Sequence, residues 1–370
     1  MKIGIMSMQR IINYGSYMQA FSLKNLLEEM GNEVVFVDYK VDMLAETKKS
    51  YDDKKFRFFR LLKRKLQIRI KKEKSNTLKP LQRFFEESYR QIGVEINRKY
   101  HTKVDVLVVG SDEVFNCLQL NPDVGYSLEL FGKNNKARML ISYAASFGDT
   151  TIDRLKRYGF ANEIAHYLKK FDALSVRDKN SKHIIDELTG SVPAEHFDPT
   201  LVSGIEKLCW KECSKKGYIA VYGYGYRFNE EEGEAIKRFA QKRSLDIVIL
   251  NAPQKLSGEY VVCRPEEIFG YFKNAEYIVT DTFHGTIFSV LFRKPVAVFS
   301  RSPQNVAYSN ENKILDLVEK LDIKSQLVLK PSKLEEVLLH NIDYDRIEKI
   351  RQKERDRTIK YLKEYCGNKI

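Results

Sequence analysis

The sequence predicts a mixed α/β protein of two halves, each built around a parallel sheet, and three observations carry that expectation. Residues 1–39 read strand, helix, strand, the β-α-β unit with which a parallel sheet begins. The same rhythm restarts at residue 218 after a polar stretch. With 370 residues the chain also exceeds what a single hydrophobic core normally serves.

The elements follow in order. MKIGIM (1–6) is a short apolar strand, and SYMQAFSLKNLLEEM (16–30) places apolar side chains at helical spacing, with Gly31 as its C-cap. EVVFVDY (33–39) is the second strand. Residues 41–100 break the rhythm. KKFRFFRLLKRKLQIRIKKEK (54–74) is densely basic and interleaved with Phe and Leu, and a further helical stretch spans about 78–92, so the region reads as an inserted helical arm. The sheet resumes with VDVLVVGSD (104–112), ARMLISYAASFG (137–148) and ALSVRD (173–178), the last leading into a helix, and AEHFDPTLV (194–202) closes the first half. Residues 203–216, polar and helical, mark a boundary. Strands at 218–226, 245–251, 277–281 and 295–300 then alternate with helices at 230–243, 265–275 and 284–293, and a charged helical tail covers 332–368. The expected domains are 1–205, carrying the insertion at about 41–100; 206–330; and a tail, 331–370, packing back on the N-terminal domain.

Composition narrows the class. The chain is 43% hydrophobic and 31% charged, as in an ordinary globular protein. No stretch approaches the roughly 20 apolar residues of a membrane span. The start has a charge at Lys2 and an apolar run soon interrupted by Gln9 and Arg10, which does not make a signal peptide. A cytoplasmic protein is expected. The five cysteines are scattered. Cys209 and Cys213 are four apart on an expected helix, but without a histidine or second pair nearby they read as reduced and structural, and no metal is expected. A net charge of +13 favours an anionic partner: a phosphorylated substrate, a membrane surface or nucleic acid.

In parallel α/β sheets ligands bind beyond the carboxyl ends of the strands, which singles out five places. In NYGSYMQA (13–20), Asn13, Gly15, Ser16 and Gln19 lie at a helix start, where free backbone N–H groups welcome a phosphate or carboxylate, or where Asn13 or Ser16 simply caps the helix. VVGSDEVFN (108–116) repeats this arrangement with Gly110, Ser111 and Asp112, again as site or cap. Ser146 ends the next strand. Arg177 follows a strand beside Asp178, suited either to a bidentate anion or to a structural ion pair. Tyr222 and Gly223, in VYGYGYRFN (221–229), form either a phosphate loop or a packed turn.

The fifth place is IVTDTFHGTIFS (278–289). Asp281 and Thr282 end a strand, Gly285 permits close approach of backbone or ligand, and Thr286 follows in the next helix. His284 stands where the helix dipole disfavours imidazolium and a carboxylate such as Asp281 would counter it. That combination describes a general acid or base, or a histidine packed for structure. Physics alone reaches a two-domain α/β protein with an anion site between its halves.

Taken together these motifs resemble the polysaccharide pyruvyl transferase family. The resemblance rests on IGIMSMQRIINYGSYMQAFSLKNLLEEMGNEVVFVDY, VVGSDEVFN, SYAASFG, SVRDKNS, FDPTLV and NAEYIVTDTFHGTIFSVLFRKPVAVF, in order over most of residues 1–300 outside the basic arm. It implies two Rossmann-like domains facing across a cleft, similar to the B-type glycosyltransferase arrangement. It also implies transfer of the enolpyruvyl unit of phosphoenolpyruvate to two hydroxyls of a lipid-linked or nucleotide-linked sugar in surface polysaccharide synthesis. The product is a pyruvate ketal, phosphate is released, and no redox cofactor is required. Residue by residue, His284 matches the family's active-site histidine and Arg177 an arginine expected to hold the donor. Some members carry arginine two residues before the histidine, where this chain has Thr282; Arg301 or Arg293 is the expected substitute. In this reading His284 protonates the donor or its leaving phosphate, Asp281 tunes it, and Asp112 is the weaker candidate for the base.

Two other readings share these residues. One is a glycosyltransferase using a nucleotide-sugar. The other is a non-enzymatic binder whose arm, 54–74, with Phe56, Phe58, Phe59, Leu61 and Leu62 among its basic residues, meets an anionic membrane at its inner face; that arm reads equally as a solvated helix packed on the core. Nucleic acid is not expected, because no recognised binding module is present.

Overall fold

The computed structural model describes residues 1–41, 79–100, 102–119, 121, 123–208, 210–301 and 311–367. They form two compact units. The first comprises Met1–Ile12, Leu27–His196 and the chain end from Lys363; the second comprises Asn13–Leu26 and Phe197–Leu362.

The first unit is built on a six-stranded sheet: β1 (Lys2–Met6), β2 (Glu33–Phe36), β3 (Val106–Asp112), β4 (Met139–Ala145), β5 (Ser175–Val176) and β6 (Ala194–Glu195). The order is β2-β1-β3-β4-β5-β6, and every pairing is parallel. β3 is buried at all seven positions, as expected of a central parallel strand covered on both faces. The core packs Val109, Phe115, Phe131, Phe147, Ile164 and Ile184, with the Phe115 and Phe131 rings stacked at 5.0 Å.

The second unit holds β7 (Tyr218–Gly223), β8 (Asp246–Asn251), β9 (Glu259–Tyr260), β10 (Tyr277–Thr280) and β11 (Val296–Val298). These are again all parallel, in the order β11-β10-β7-β8-β9. From β7 the chain runs outward through β8 and β9, then returns to β10 on the other side of β7. The order therefore reverses between β7 and β10, and a crevice opens at the carboxyl ends flanking such a reversal. Gly223 and Asp281 stand at those two ends. In the first sheet the reversal lies between β1 and β3, whose carboxyl ends are Met6 and Asp112.

Several expectations are corrected. Of 194–202 only Ala194–Glu195 is strand; Asp198 then caps the short helix Pro199–Val202, because Pro199 cannot donate to a ladder and favours a first helical turn. The described residues of 203–216 contain only the 3₁₀ turn Ile205–Lys207. β9 and the helix Glu311–Lys320 were not anticipated. Residues 79–91 are helical, whereas the basic segment 54–74 and Cys209 fall outside the described residues. Cys117, Cys213, Cys263 and Cys366 form no disulfide. Among the described residues no helix is long and apolar enough to cross a membrane.

Candidate active site

In the second unit β10 hands over to the helix Phe283–Leu291 through a tightly bonded turn. Thr282 is the N-cap, its Oγ1 accepting from the Gly285 N–H at 2.8 Å. The Thr280 hydroxyl donates to the Tyr222 carbonyl at 2.8 Å and ties β10 to β7. The Thr286 and Ser289 hydroxyls donate to the Thr282 and Gly285 carbonyls at 3.0 and 2.7 Å. A Cβ at Gly285 would lie 2.1 Å from Thr280 Oγ1 and 2.7 Å from Thr282 Oγ1. The threonines beneath it thus require the glycine. Thr282, Gly285 and Thr286 build the turn. Gly285→Ala should cost about 1–3 kcal/mol through overpacking, seen as a lower denaturant midpoint in equilibrium unfolding.

The turn presents His284, which is 9% exposed. Its ring lies between Phe283 at 5.3 Å and Phe288 at 5.9 Å and directly against Gly15, where a Cβ would fall 2.0 Å from Nδ1. Its Nε2 is buried and makes no hydrogen bond among the described residues, but stands 3.6 Å from Asp198 Oδ2. Asp198 is itself fixed: Oδ1 accepts from the Thr200 N–H at 3.0 Å, and Oδ2 accepts from Gln19 Nε2. The carboxylate beside the imidazole is therefore Asp198, not the expected Asp281, and Gln19 positions it. Asn13 takes the capping alternative, its Oδ1 accepting from the Ser16 N–H at 3.2 Å at the start of the helix Tyr14–Glu28. The first turns of the helices beginning at Tyr14 and Phe283 thus meet at one imidazole, bringing two positive helix ends together.

Asp281 belongs to a different network. It is fully buried, with Oδ2 at 3.0 Å from Arg227 Nε and 3.2 Å from Arg301 Nε. The Arg301 fork is in turn engaged by Glu232 at 2.6 and 3.1 Å. Burial pushes the Asp281 carboxyl above its ordinary value, while the Arg227 and Arg301 guanidiniums pull it down. Arg301, expected to face the donor, is thus bound by Glu232 and Asp281. Arg293 is at the surface, paired with Asp345 and stacked on Tyr344 at 5.6 Å. Gly223 is dictated by contact, since a Cβ would lie 2.7 Å from Phe228 and 2.9 Å from Asp281 Oδ1. Tyr222 packs against Phe272, Phe288 and Tyr14 at 5.3, 6.0 and 6.4 Å. Burial pushes the Cys263 thiol up to about 12, so it stays protonated at neutral pH and offers no nucleophile.

The first unit has its own polar cluster at its carboxyl edge. Arg177 Nη2 lies 3.7 Å from Asp112 Oδ1, and both residues are buried. Asp178, the expected partner, instead accepts from the Ser146 hydroxyl at 2.6 Å and from the Ser181 N–H at 2.8 Å, capping Lys179–Thr189. The Ser111 carbonyl accepts from the Ser7 hydroxyl at 2.8 Å. Gly110 (φ +127°) approaches so closely that a Cβ would lie 2.2 Å from the Tyr143 carbonyl oxygen. Asp112 and Ala144, non-glycine residues at φ 83° and 45°, mark the kind of local strain that collects at functional edges.

Two parallel sheets, one ending in a buried histidine–aspartate pair and the other in a buried arginine–aspartate pair, define an α/β protein with polar groups gathered where such sheets bind ligands. The chain belongs to the polysaccharide pyruvyl transferase family, whose model matches residues 13–303, a family of transferases. Comparison with curated proteins finds no match. Among solved structures the chain is similar to an S. aureus MnaA–UDP complex (12% identity, TM-score 0.47, covering 98% of this chain and 96% of that one). It is also similar to a Neisseria meningitidis UDP-GlcNAc 2-epimerase bound to UDP-GlcNAc (12%, 0.46, 98% and 100%), and to the calicheamicin glycosyltransferase CalG4 (13%, 0.43, 100% and 98%).

Proposed function

We propose that the protein transfers the enolpyruvyl unit of phosphoenolpyruvate to two hydroxyls of a lipid-linked or nucleotide-linked sugar, forming a pyruvate ketal and releasing phosphate. The supporting observation is His284: a buried imidazole nitrogen with no hydrogen bond, next to a fixed carboxylate, at the meeting of two helix N-termini. Phosphoenolpyruvate is strongly anionic, and helix N-termini favour such groups. The chemistry needs a proton delivered to the methylene carbon, which leaves a cationic centre at the carbon bearing phosphate. One hydroxyl attacks that carbon and loses its proton; the carbon–oxygen bond to phosphate then breaks, and the second hydroxyl closes the ring as its proton passes to the departing phosphate. An imidazolium is the natural donor of the first proton, and the imidazole it becomes can accept one from an attacking hydroxyl.

Asp198 acts through His284 as a positioning residue: its carboxylate, fixed by the Thr200 N–H and Gln19, stands 3.6 Å from Nε2. Asp198→Asn keeps the shape and removes the charge. Turnover should fall about 10–100-fold, the worth of a charged interaction. Unchanged kinetics would remove Asp198 from the mechanism.

The reaction is tested by mass spectrometry of lipid- and nucleotide-linked sugars incubated with the protein and phosphoenolpyruvate. Gain of one pyruvate ketal with stoichiometric phosphate is expected; consumption of a nucleoside diphosphate sugar without phosphoenolpyruvate would contradict the proposal.

A further inference from the structure

Arg227 is left unexplained by the networks above. It lies four residues beyond the end of β7, beside the point where the strand order reverses. Its Nε faces Asp281 Oδ2 at 3.0 Å, yet that same oxygen faces Arg301 Nε at 3.2 Å. Arg301 has Glu232 as a second, bidentate counter-ion; Arg227 shares its one carboxylate. Nη1 and Nη2 of Arg227 are buried without a hydrogen-bond partner among the described residues. Buried donors are normally satisfied, and those of a charged group are costly to leave unmade.

The surrounding loop holds the guanidinium in place. Its Cζ lies over the Tyr224 ring, 5.4 Å from the centroid. The Arg227 N–H donates to Gln254 Oε1 at 3.1 Å, while Gln254 Nε2 donates to the Tyr224 carbonyl at 2.8 Å. The Tyr226 N–H donates to the Pro253 carbonyl at 2.9 Å, which holds Tyr226 at φ 57°. A preorganised planar fork with two unused nitrogens matches a carboxylate or a phosphate bidentately.

We infer that Arg227 is an oxyanion-binding residue that holds the anionic donor in the second unit. The inference rests on the phosphoenolpyruvate reading, and it assigns to Arg227 the role expected of Arg301 or Arg293.

The test is calorimetric titration of the full chain with phosphoenolpyruvate, inorganic phosphate and pyruvate. Arg227→Lys keeps the charge and loses the fork. Arg227→Met with Asp281→Asn removes both sides of the ion pair and so keeps the buried charge balanced if the single variant unfolds. Both should weaken phosphoenolpyruvate binding roughly 10–100-fold. Arg227-dependent binding of phosphate alone, or of pyruvate alone, supports the site and says which end of the donor the fork takes. Wild-type affinity for phosphoenolpyruvate in either variant overturns the inference while leaving the donor reading intact. A wild-type chain that binds phosphate or pyruvate through Arg227 but not phosphoenolpyruvate keeps the anion site and overturns the donor. Binding of none of the three overturns both.

Discussion

His284→Ala is expected to lower the turnover of pyruvyl transfer by about 10²–10⁴-fold, the range a positioned general acid contributes. The imidazole is buried between two phenylalanines, so truncation also removes packing and should lower the melting temperature. Kinetic and thermal effects separate because a variant that is folded at assay temperature, by circular dichroism, still lacks the proton donor. Phosphoenolpyruvate binding should be far less affected than turnover if, as proposed, Arg227 and the helix N-termini hold the anion. Near-normal turnover in the alanine variant would assign His284 to structure.

Gly15→Ala should have the next largest effect, and for a steric reason. The added Cβ would stand 2.0 Å from His284 Nδ1 and 2.4 Å from its Cγ, distances no packing tolerates. The ring cannot retreat freely, with Phe283 and Phe288 around it and Asp198 beyond. A displacement of this size should cost about 10²-fold in turnover, as misplaced catalytic groups do. Alanine is nevertheless the better helix former, by roughly 0.5–1 kcal/mol, and Gly15 lies in the first turn of Tyr14–Glu28. Activity should therefore fall much further than stability, which steady-state kinetics and thermal unfolding would show together.

Much of this was legible in the sequence. Several strands announce themselves as apolar runs ending in Gly, Ser or Asp, as at Gly110-Ser111-Asp112, Gly223 and Asp281, and the two parallel sheets follow from the alternation with helices. Position at strand ends and the helix starts that follow them singled out His284, Gly15, Asp112 and Arg177 as candidates. Partnerships were not legible. Asp198 sits in FDPTLV, where the only local signal is an aspartate before proline, the mark of a helix cap; its meeting with Gln19 and His284 joins residues 179 and 86 positions away in the chain. Asp281, three residues from His284, seemed the natural partner by proximity, but its side chain turns to Arg227 and Arg301. Arg227 carries no local signal beyond its place after a Gly-Tyr-Gly-Tyr run. β9 has two residues, too few for a period to register. The helical reading of 203–216 weighed propensity over a stretch where the described residues form only a short 3₁₀ turn.

The most direct measurement is nuclear magnetic resonance of the sugar product formed in deuterated water by the wild-type protein and by His284→Ala. If the methylene carbon of phosphoenolpyruvate is protonated through His284, the wild-type product carries a ketal whose methyl group holds one solvent-derived deuterium, with one phosphate released per ketal. The alanine variant then yields almost none in the same time. A ketal formed by the variant at the wild-type rate would contradict the role of His284, and a glycosylated product without a ketal would contradict the reaction itself.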